Sequence, residues 1–299
     1  MTAAVLAAWV TLLQVPLPPA HPVLETASYV AQRVFDTRRK AFTDFESMLA
    51  DLTRADAVFV GEQHDDPNTH RLELAVLEGL TRRGAPVVVA LEMFERDVQP
   101  VLDRYTAGAM GEDEFLKASR PWPAYATDYR PLVEFARAHK LTVVASNLPR
   151  RIAADAGKSG LAVLEHLGSD RALVAREVSC PASGSYFDRF AQAMGGHAAA
   201  TSNFYYAQCL KDETMGESVA DAFQKSADRV TVVHVNGAFH SDFRQGTAES
   251  ARRRMPGRRI AVVSMLPVAD LDTVAPDDED IKRADYLVFT VKPAAVRQP

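Results

Sequence analysis

The chain has 299 residues, of which 47% are hydrophobic and 24% are charged. These proportions are typical of a folded globular protein, and the length is enough for one large domain or two small domains with a sizeable core. A formal net charge of -5 argues against a nucleic-acid-binding protein, which would carry a basic face. The arginines of 252–259 lie between a helix pattern and a strand pattern, and we interpret them as a solvent-exposed connection.

The N-terminal segment has the composition of an export signal. Residues 3–13 are almost wholly apolar and too few to span a bilayer, and a proline-rich segment follows them. We predict a signal peptide at 1–20 and export to the periplasm or the extracellular space, although no Lys or Arg precedes the apolar run. No cysteine near its end could carry a lipid anchor, so we do not expect anchoring there. Cys180 and Cys209 could pair in an oxidising compartment.

The first half of the chain contains a strand–helix–strand unit. Residues 29–52 are interpreted as one or two helices, and 57–60 as a short buried strand. Asp66-Pro67 predicts the start of a helix, and 86–91 is a second buried strand. This order predicts parallel neighbouring strands joined by a right-handed crossover.

The same alternation continues to the end of the chain. A mainly helical insertion covers 99–140, a third strand 141–145, and a second helical insertion 151–226, which includes a Gly/Ser/Ala-rich loop at 182–202. Three more strands are predicted at 230–235, 259–264 and 286–291. The sequence therefore predicts an α/β fold in which a mostly parallel central sheet is flanked by helices.

Polar segments follow four of the predicted strands. They are Gly61-Glu62-Gln63-His64, Glu92, Asn147 and Gly237-Ala238-Phe239-His240. Because the carboxyl ends of parallel strands meet at one edge of a sheet, we expect these side chains to converge in one pocket. In both four-residue segments a glycine precedes a histidine by three positions, and glycine allows a sharp turn or a close approach.

The polar strand ends supply the candidate catalytic residues. They are Glu62, His64, Glu92 and His240, with Asn147, Arg150 and His70 nearby. Two imidazoles and two carboxylates suit a divalent metal site, or a general base with an orienting acid. His70 lies in the first turn of the next helix, where it either faces the site or is structural. His234 alternates with core positions and is interpreted as a core histidine.

Five segments of the chain resemble the ChaN family of haem-binding, iron-regulated proteins. They are 61–70, 91–96, 147–150, 207–215 and 237–240, and the first of them, GEQHDDPNTH, is quite specific. The similarity follows the family's order from about residue 42 to residue 291 and includes both helical insertions. ChaN is similar to a wider superfamily that includes Tiki, TraB and erythromycin esterase, so the resemblance implies a Tiki-type fold.

The resemblance implies a haem-binding protein involved in iron or haem uptake, with an uptake receptor or transporter as a partner. It also implies a tyrosine ligand to the haem iron and a homodimer with haems at its interface. The candidate haem ligands are Tyr205, Tyr206, Tyr186 and His197, since phenolate and imidazole both serve as axial ligands.

Two other functions stay open at this point. Some members of the wider superfamily are metal-dependent proteases or esterases, which implies a hydrolase whose divalent metal is held by His64, His240, Glu62 and Glu92. The third interpretation is a non-enzymatic module that binds another anionic ligand near Arg150.

Overall fold

The computed structural model describes residues 29–195, 198–226 and 229–292, so the predicted signal peptide at 1–20 lies outside the described residues. The described chain forms an eight-stranded sheet in the spatial order β2-β1-β8-β7-β3-β6-β4-β5. The strands are β1 (Gln32–Asp36), β2 (Ala41–Thr43), β3 (Ala57–Glu62), β4 (Val87–Glu95), β5 (Thr142–Asn147), β6 (Thr231–Gly237), β7 (Ile260–Val268) and β8 (Tyr286–Val291).

Six neighbouring strands, from β8 across to β5, are parallel, and β1 pairs antiparallel with both β2 and β8. The parallel strands have apolar side chains on both faces. Val58 and Val60 of β3 pack into the core on one side of the sheet, while Ala57 and Phe59 pack into the core on the other. Burial on both faces explains why these strands are continuous apolar runs. The predicted α/β fold with a mostly parallel sheet is confirmed.

Ten α-helices lie among the described residues and flank this sheet. They are α1 (Phe45–Leu52), α2 (Pro67–Arg82), α3 (Gln99–Thr106), α4 (Glu112–Ser119), α5 (Arg130–Ala138), α6 (Arg150–Ser159), α7 (Ser185–Ala193), α8 (Ala198–Lys225), α9 (Gly246–Arg254) and α10 (Asp278–Arg283). Asp66 caps α2 by accepting a hydrogen bond from the Asn68 amide at 2.9 Å, as the sequence predicts. Within the described ranges, no helix combines the length and the apolar character needed to cross a bilayer.

The prediction of helix over 29–52 is wrong in its first part. Only α1 is helical there, and β1 and β2 come before it. Val34 and Phe35 of β1 point to opposite faces of the sheet and enter its two cores, while the backbone of β1 pairs with β8. Strand pairing with a segment some 250 residues away in the chain overrides the local helical pattern.

The predicted loop at 182–202 is also wrong in part. Helix α7 occupies its middle, where Phe190 packs against Tyr205 with ring centroids 5.7 Å apart, and α8 begins at Ala198. A disulfide bond between Cys180 and Cys209 joins the segment before α7 to α8. Packing on α8 and this covalent link stabilise a helix that the small polar residues of the segment did not indicate.

Candidate functional site

The carboxyl ends of three adjacent strands bring the predicted residues together. Strand β6 lies between β3 and β4, and Glu62 of β3 is in register with Gly237 of β6. Glu92 approaches from the other side, where its Oε2 accepts a hydrogen bond from the Gly237 amide at 2.8 Å. Strand β4 continues past Glu92 to Glu95 with a register shift against β5. The two glycine-to-histidine turns are therefore neighbours at one edge of the sheet.

The first turn holds His64 against a buried carboxylate. Nδ1 of His64 contacts Oε1 of Glu62, and the Tyr129 hydroxyl donates to the same oxygen at 2.9 Å. The His64 ring packs edge-on against Trp122, and its side chain is 48% exposed. Burial alone lowers the pKa of His64, but the hydrogen bond to Glu62 and the charge of Glu92 outweigh burial and raise it. The His64 imidazole is thus oriented on one side and accessible on the other.

The second turn holds His240 between two carboxylates. Its Nδ1 lies 2.7 Å from Oδ1 of Asp212, and its Nε2 lies 3.3 Å from Oε1 of Glu92. Burial alone lowers the pKa of His240, but Glu92 and Asp212 raise it to about 10. Burial likewise raises the pKa of Glu92, while the charge of His240 prevails and lowers it to about 2. His240 is therefore a buried imidazolium with both nitrogens engaged.

Asp212 is a site residue that the sequence reasoning missed. It lies on α8, and besides His240 it binds the hydroxyls of Thr247, at 2.8 Å, and Tyr186. It is 2% exposed although it is an acid within a helix. An acid among the apolar positions of a buried helix is the signal that would have identified it, because burial of an unpaired carboxylate is costly.

The remaining predicted neighbours of the site have different roles. His70 is buried and faces Glu62, with Nδ1 2.8 Å from Oε2 of that residue. Asn147 donates to the Glu92 carbonyl at 2.9 Å and fixes the backbone at the strand end, without lining the cavity described below. Arg150 is exposed at the start of α6 and does not line it either. The sequence indicates that Asn147 and Arg150 lie at the pocket or its rim, and a position of either residue at the rim stays a prediction.

His234 is a core histidine, as the sequence indicates. It is completely buried on β6, and its two ring nitrogens contact Ser146 Oγ at 3.1 Å and Asn236 Oδ1 at 3.0 Å. Burial lowers its pKa to about 4, so the ring is neutral at physiological pH. It contributes no charge to the site.

The four metal ligands predicted for a hydrolase do not form one ligand set. They divide into two pairs, Glu62 with His64 and Glu92 with His240. Within the described part of the chain, the group of three whose ligand atoms lie close enough for one ion is Glu62, His70 and Glu73. The predicted ligands separate because His240 turns toward Asp212 on α8 rather than toward the His64 turn.

Two of the tyrosines proposed as haem ligands have engaged hydroxyl groups. Tyr186 donates to Asp212, and Tyr205 donates to the Pro181 carbonyl at 2.8 Å. Burial, followed by the charge of Asp212, raises the pKa of Tyr186, and burial raises that of Tyr205 to about 12. Both side chains are neutral phenols with partners in this structure.

Of the other two candidate haem ligands, Tyr206 belongs to the described residues and lies on α8. Tyr206 is half-buried there, with its ring beside Gly160 and 5.8 Å from the ring of Tyr205. His197 lies outside the described residues. A haem-ligand role for either residue stays a prediction.

A cavity of about 1080 Å³ opens between the two turns and α7. This volume is at the upper end of that of small-molecule and cofactor sites. Its walls include His64, His240, Phe190, Phe239, Phe243, Arg189 and Arg283, together with the acidic side chains of Glu62, Asp188, Asp242 and Glu279. Arg189 lies over the Phe239 ring, 4.1 Å from its centroid. The cavity has room for a partly apolar ligand, and Arg189 and Arg283 offer positive charge to an acidic group of that ligand.

Comparison with known proteins gives a family and a fold. The model of the family described as haem-binding uptake, Tiki superfamily, ChaN matches residues 48–250. The structure of ChaN from Campylobacter jejuni, described as binding haem cofacially, is 18% identical with a TM-score of 0.63. The similarity covers 87% of this chain and 97% of that one. At this identity the C. jejuni structure shows a shared fold.

More distant structures and the curated proteins add no functional argument. The type III effector HopBA1 is 10% identical with a TM-score of 0.47, over 90% of this chain and 100% of its own. An erythromycin esterase mutant in its open conformation is 13% identical with a TM-score of 0.46, over 89% and 84%. No curated protein matches the sequence.

Proposed function

The chain belongs to the ChaN family of haem-binding uptake proteins in the Tiki superfamily, and from this premise we propose that it binds haem in iron or haem uptake. The proposed site is the cavity between the two glycine-to-histidine turns and α7. An uptake receptor or a transporter is the corresponding proposed partner. Haem, when bound, supplies an iron that takes an axial ligand from the protein.

The lining of the cavity offers apolar rings and two cations that a haem could contact. Phe190, Phe239 and Phe243 offer apolar rings for a porphyrin face, and Arg189 and Arg283 offer positive charge for its carboxylates. Arg283 is already paired with Asp242 at 2.9 Å, so Arg189 is the freer of the two cations. The chemistry of these side chains is what an anionic, planar, largely apolar group requires.

The observation that carries the proposal is the orientation of His64. Glu62 engages Nδ1, which leaves Nε2 on the cavity side beside Gly237. A carboxylate on the far nitrogen is how proteins orient a histidine that ligates a metal. His240 lacks a free nitrogen, and Tyr186 has an engaged hydroxyl group. We therefore propose His64 as the axial ligand, in place of the tyrosine that the family resemblance implies.

Titration of the full chain with haemin, followed by its absorption spectrum, tests this proposal. We expect binding at micromolar haemin, and at least about tenfold weaker binding with an altered ferric spectrum in His64→Ala, because the axial ligand sets the electronic state of the iron. His166→Ala is the matched control, since His166 is exposed and does not line the cavity. A spectrum that changes with Phe substitution at Tyr186, Tyr205 or Tyr206, and not in His64→Ala, would assign a tyrosine ligand instead.

Export and dimerisation complete the proposal. The disulfide between Cys180 and Cys209 supports a location outside the reducing cytosol. The intact mass of protein recovered from its native host tests removal of residues 1–20, and retention of Met1 would contradict export. Sedimentation with and without haemin tests the homodimer that the family resemblance implies.

A hydrolase is the second candidate function, and the pair formed by Glu62 and His64 favours it. A half-exposed imidazole held by a buried carboxylate is the arrangement of a general base. In this function His64 takes a proton from water, and Glu62 stabilises the imidazolium that results. Cleavage of a p-nitrophenyl ester that is lost in both His64→Ala and Glu62→Gln, together with no haemin binding, would establish the hydrolase and exclude the haem protein.

A further inference from the structure

A second group of ionisable side chains lies behind the His64 turn. Glu62, His70 and Glu73 each offer one ligand atom, and these atoms all lie within 4.8 Å of one another. We propose that these three residues bind a first-row divalent metal ion, Mn²⁺ or Zn²⁺, at a site behind the His64 turn that shares Glu62 with the lining of the proposed haem cavity. This site differs from the ligand set expected for a metal hydrolase, with which it shares only Glu62.

The local fold places the three residues on one buried surface. Glu62 ends β3, and α2 begins only five residues later at Pro67. His70 and Glu73 are three residues apart on α2, so their side chains lie on the same face of the helix. That face packs toward the sheet, where Glu62 and Glu73 are 1% and 0% exposed. Three ionisable residues therefore meet in the protein interior.

The carboxylates in this group have more acceptor atoms than donors. Nδ1 of His70 lies 2.8 Å from Glu62 Oε2 and 3.3 Å from Glu73 Oε2, and one N–H can align with only one of them. The hydrogen bond goes to Glu73. Among the described residues, buried Glu62 Oε2 and Glu73 Oε1 have no hydrogen-bond partner. Buried acceptors without partners are costly, and a cation between the carboxylates would stabilise them.

The other ring nitrogen of His70 has the environment of a metal-ligating histidine. Nε2 lies 3.2 Å from the carbonyl oxygen of His64 and 3.5 Å from Oδ2 of Asp128. A histidine that ligates a metal usually donates its other N–H to a carbonyl or carboxylate oxygen. An ion that displaces the Nδ1 proton would leave the Nε2 proton on these oxygens and would meet an Nδ1 lone pair that faces Glu62 and Glu73. Two carboxylates and this lone pair would then surround the ion.

The distances suit a small divalent ion. Bonds of about 2.1 Å place neighbouring ligand atoms about 3.0 Å apart in an octahedral site and about 3.4 Å apart in a tetrahedral site. The two His70–carboxylate distances are 2.8 and 3.3 Å. One nitrogen and two oxygen ligands favour Mn²⁺ or Zn²⁺ over Ca²⁺, which takes oxygen ligands only, and over Cu⁺, which prefers sulfur.

Protons are the competing source of positive charge. Burial alone lowers the pKa of His70, but Glu62 and Glu73 outweigh burial and raise it to about 11 when no metal is bound. Burial, followed by the charge of Glu62, raises the pKa of Glu73, so without a metal this side chain would be a neutral carboxylic acid. A site built for a metal ion and a site that holds only protons predict different effects of Glu73→Gln. Glutamine is a neutral isostere of a protonated glutamate, yet it removes an anionic metal ligand.

The test is titration of the purified, EDTA-treated full chain with Mn²⁺ and with Zn²⁺, separately and without haemin. Electron paramagnetic resonance follows Mn²⁺, and calorimetry follows Zn²⁺. We expect one ion per chain at micromolar concentration, with at least about tenfold weaker binding in Glu73→Gln, since a removed ligand costs at least as much as an outer-shell partner. Glu92→Gln is the matched control, because Glu92 is equally buried but lies in the His240 group, and its metal affinity should be unchanged.

Three results would overturn the proposal. They are no binding of either ion at micromolar concentration, equal binding in Glu73→Gln and wild type, and loss of binding in Glu92→Gln. If Glu73→Gln does not fold, paramagnetic broadening in the wild type locates the ion without a variant. Mn²⁺ should broaden the imidazole signals of His70 before those of His240, and the reverse order would contradict the site.

Discussion

The two glycine-to-histidine turns begin from the same pattern and hold their histidines in different states. Each turn follows a parallel strand, and each histidine contacts a buried carboxylate, Glu62 for His64 and Asp212 for His240. A tyrosine hydroxyl donates to each carboxylate, from Tyr129 and Tyr186 respectively. The two turns thus share a strand end, an imidazole, a carboxylate and a phenol.

The difference between the turns is the second carboxylate. His240 also contacts Glu92, and its side chain is 8% exposed, while that of His64 is 48% exposed. Because both of its nitrogens are engaged, His240 is a structural cation at the base of the cavity. His64 retains a nitrogen that can bind or accept a proton. The motif therefore decides where an imidazole lies, and its neighbours decide whether that imidazole is available for chemistry.

Substitution of His240 and of His64 by alanine should give the largest difference in stability between the two turns. His240→Ala leaves Glu92 and Asp212 buried without their cation, and breaking a buried pair in this way costs about 3–5 kcal/mol. His64→Ala should cost less, about 1.5 kcal/mol, because its imidazole is half-exposed and the buried Glu62 keeps Tyr129 and His70 as partners. Urea denaturation of both variants measures the difference in free energy of unfolding. Equal losses would show that the two turns are equivalent.

The pH dependence of the free energy of unfolding should reflect the ionisation of His240 and Glu92 in the buried turn. The raised pKa of His240 contributes stability that is complete below its ordinary value of 6.5 and is lost as pH rises toward about 10. The lowered pKa of Glu92 contributes stability present above 4.5 and lost as pH falls toward about 2. Within these windows each pH unit costs up to about 1.4 kcal/mol.

Thermal denaturation of wild type and Asp212→Asn across this pH range measures the effect. The variant keeps the shape of the side chain and removes one of the two charges that hold His240 protonated. Its alkaline loss of stability should be smaller and should end at a lower pH. An identical alkaline decline in both proteins would assign the effect to other groups.

Substitution of Tyr129 and of Tyr186 tests whether their hydroxyl groups stabilise Glu62 and Asp212 to the same extent. Tyr129→Phe and Tyr186→Phe each remove a hydrogen bond to a charged group, so each should lower the free energy of unfolding by about 1.5–3 kcal/mol. Neither substitution should abolish the haemin spectrum, since neither hydroxyl is assigned as a ligand. Loss of the spectrum in Tyr186→Phe alone would place the haem ligand in the second turn and reverse the comparison.

Substitution of the two motif glycines should affect stability in one turn and ligand binding in the other. A Cβ atom on Gly61 would lie 3.0 Å from the Ala238 backbone, so Gly61→Ala should cost about 1–3 kcal/mol through overpacking. A Cβ atom on Gly237 would lie 2.6 Å from Nε2 of His64, a half-exposed ring that can move away. Gly237→Ala should therefore weaken haemin binding with little change in denaturation midpoint. Unchanged haemin affinity in this variant would argue against His64 as the ligand.

Six strands and the edge on which the site lies follow from the sequence by local rules. Short apolar runs between glycine and polar segments predict buried parallel strands, and parallel strands carry their carboxyl ends to one edge. Glu62, His64, Glu92 and His240 lie at one edge of the sheet for this reason. Each of the six strands could be predicted from its own residues, because its apolar run and the residues that flank it do not depend on distant parts of the chain.

Tertiary contacts alone decided the partners of these residues. Strand β1 forms because β8 offers it a free edge, and Asp212 reaches His240 because α8 packs across the strand ends. Glu73 was overlooked because a glutamate in a helix is ordinarily solvated, although its spacing from His70 and the apolar positions around it indicate the buried face. Burial, pairing and ionisation depend on what packs against a side chain. The spacing of residues determines on which face of a strand or helix a side chain lies. Only the tertiary structure determines what packs against that face.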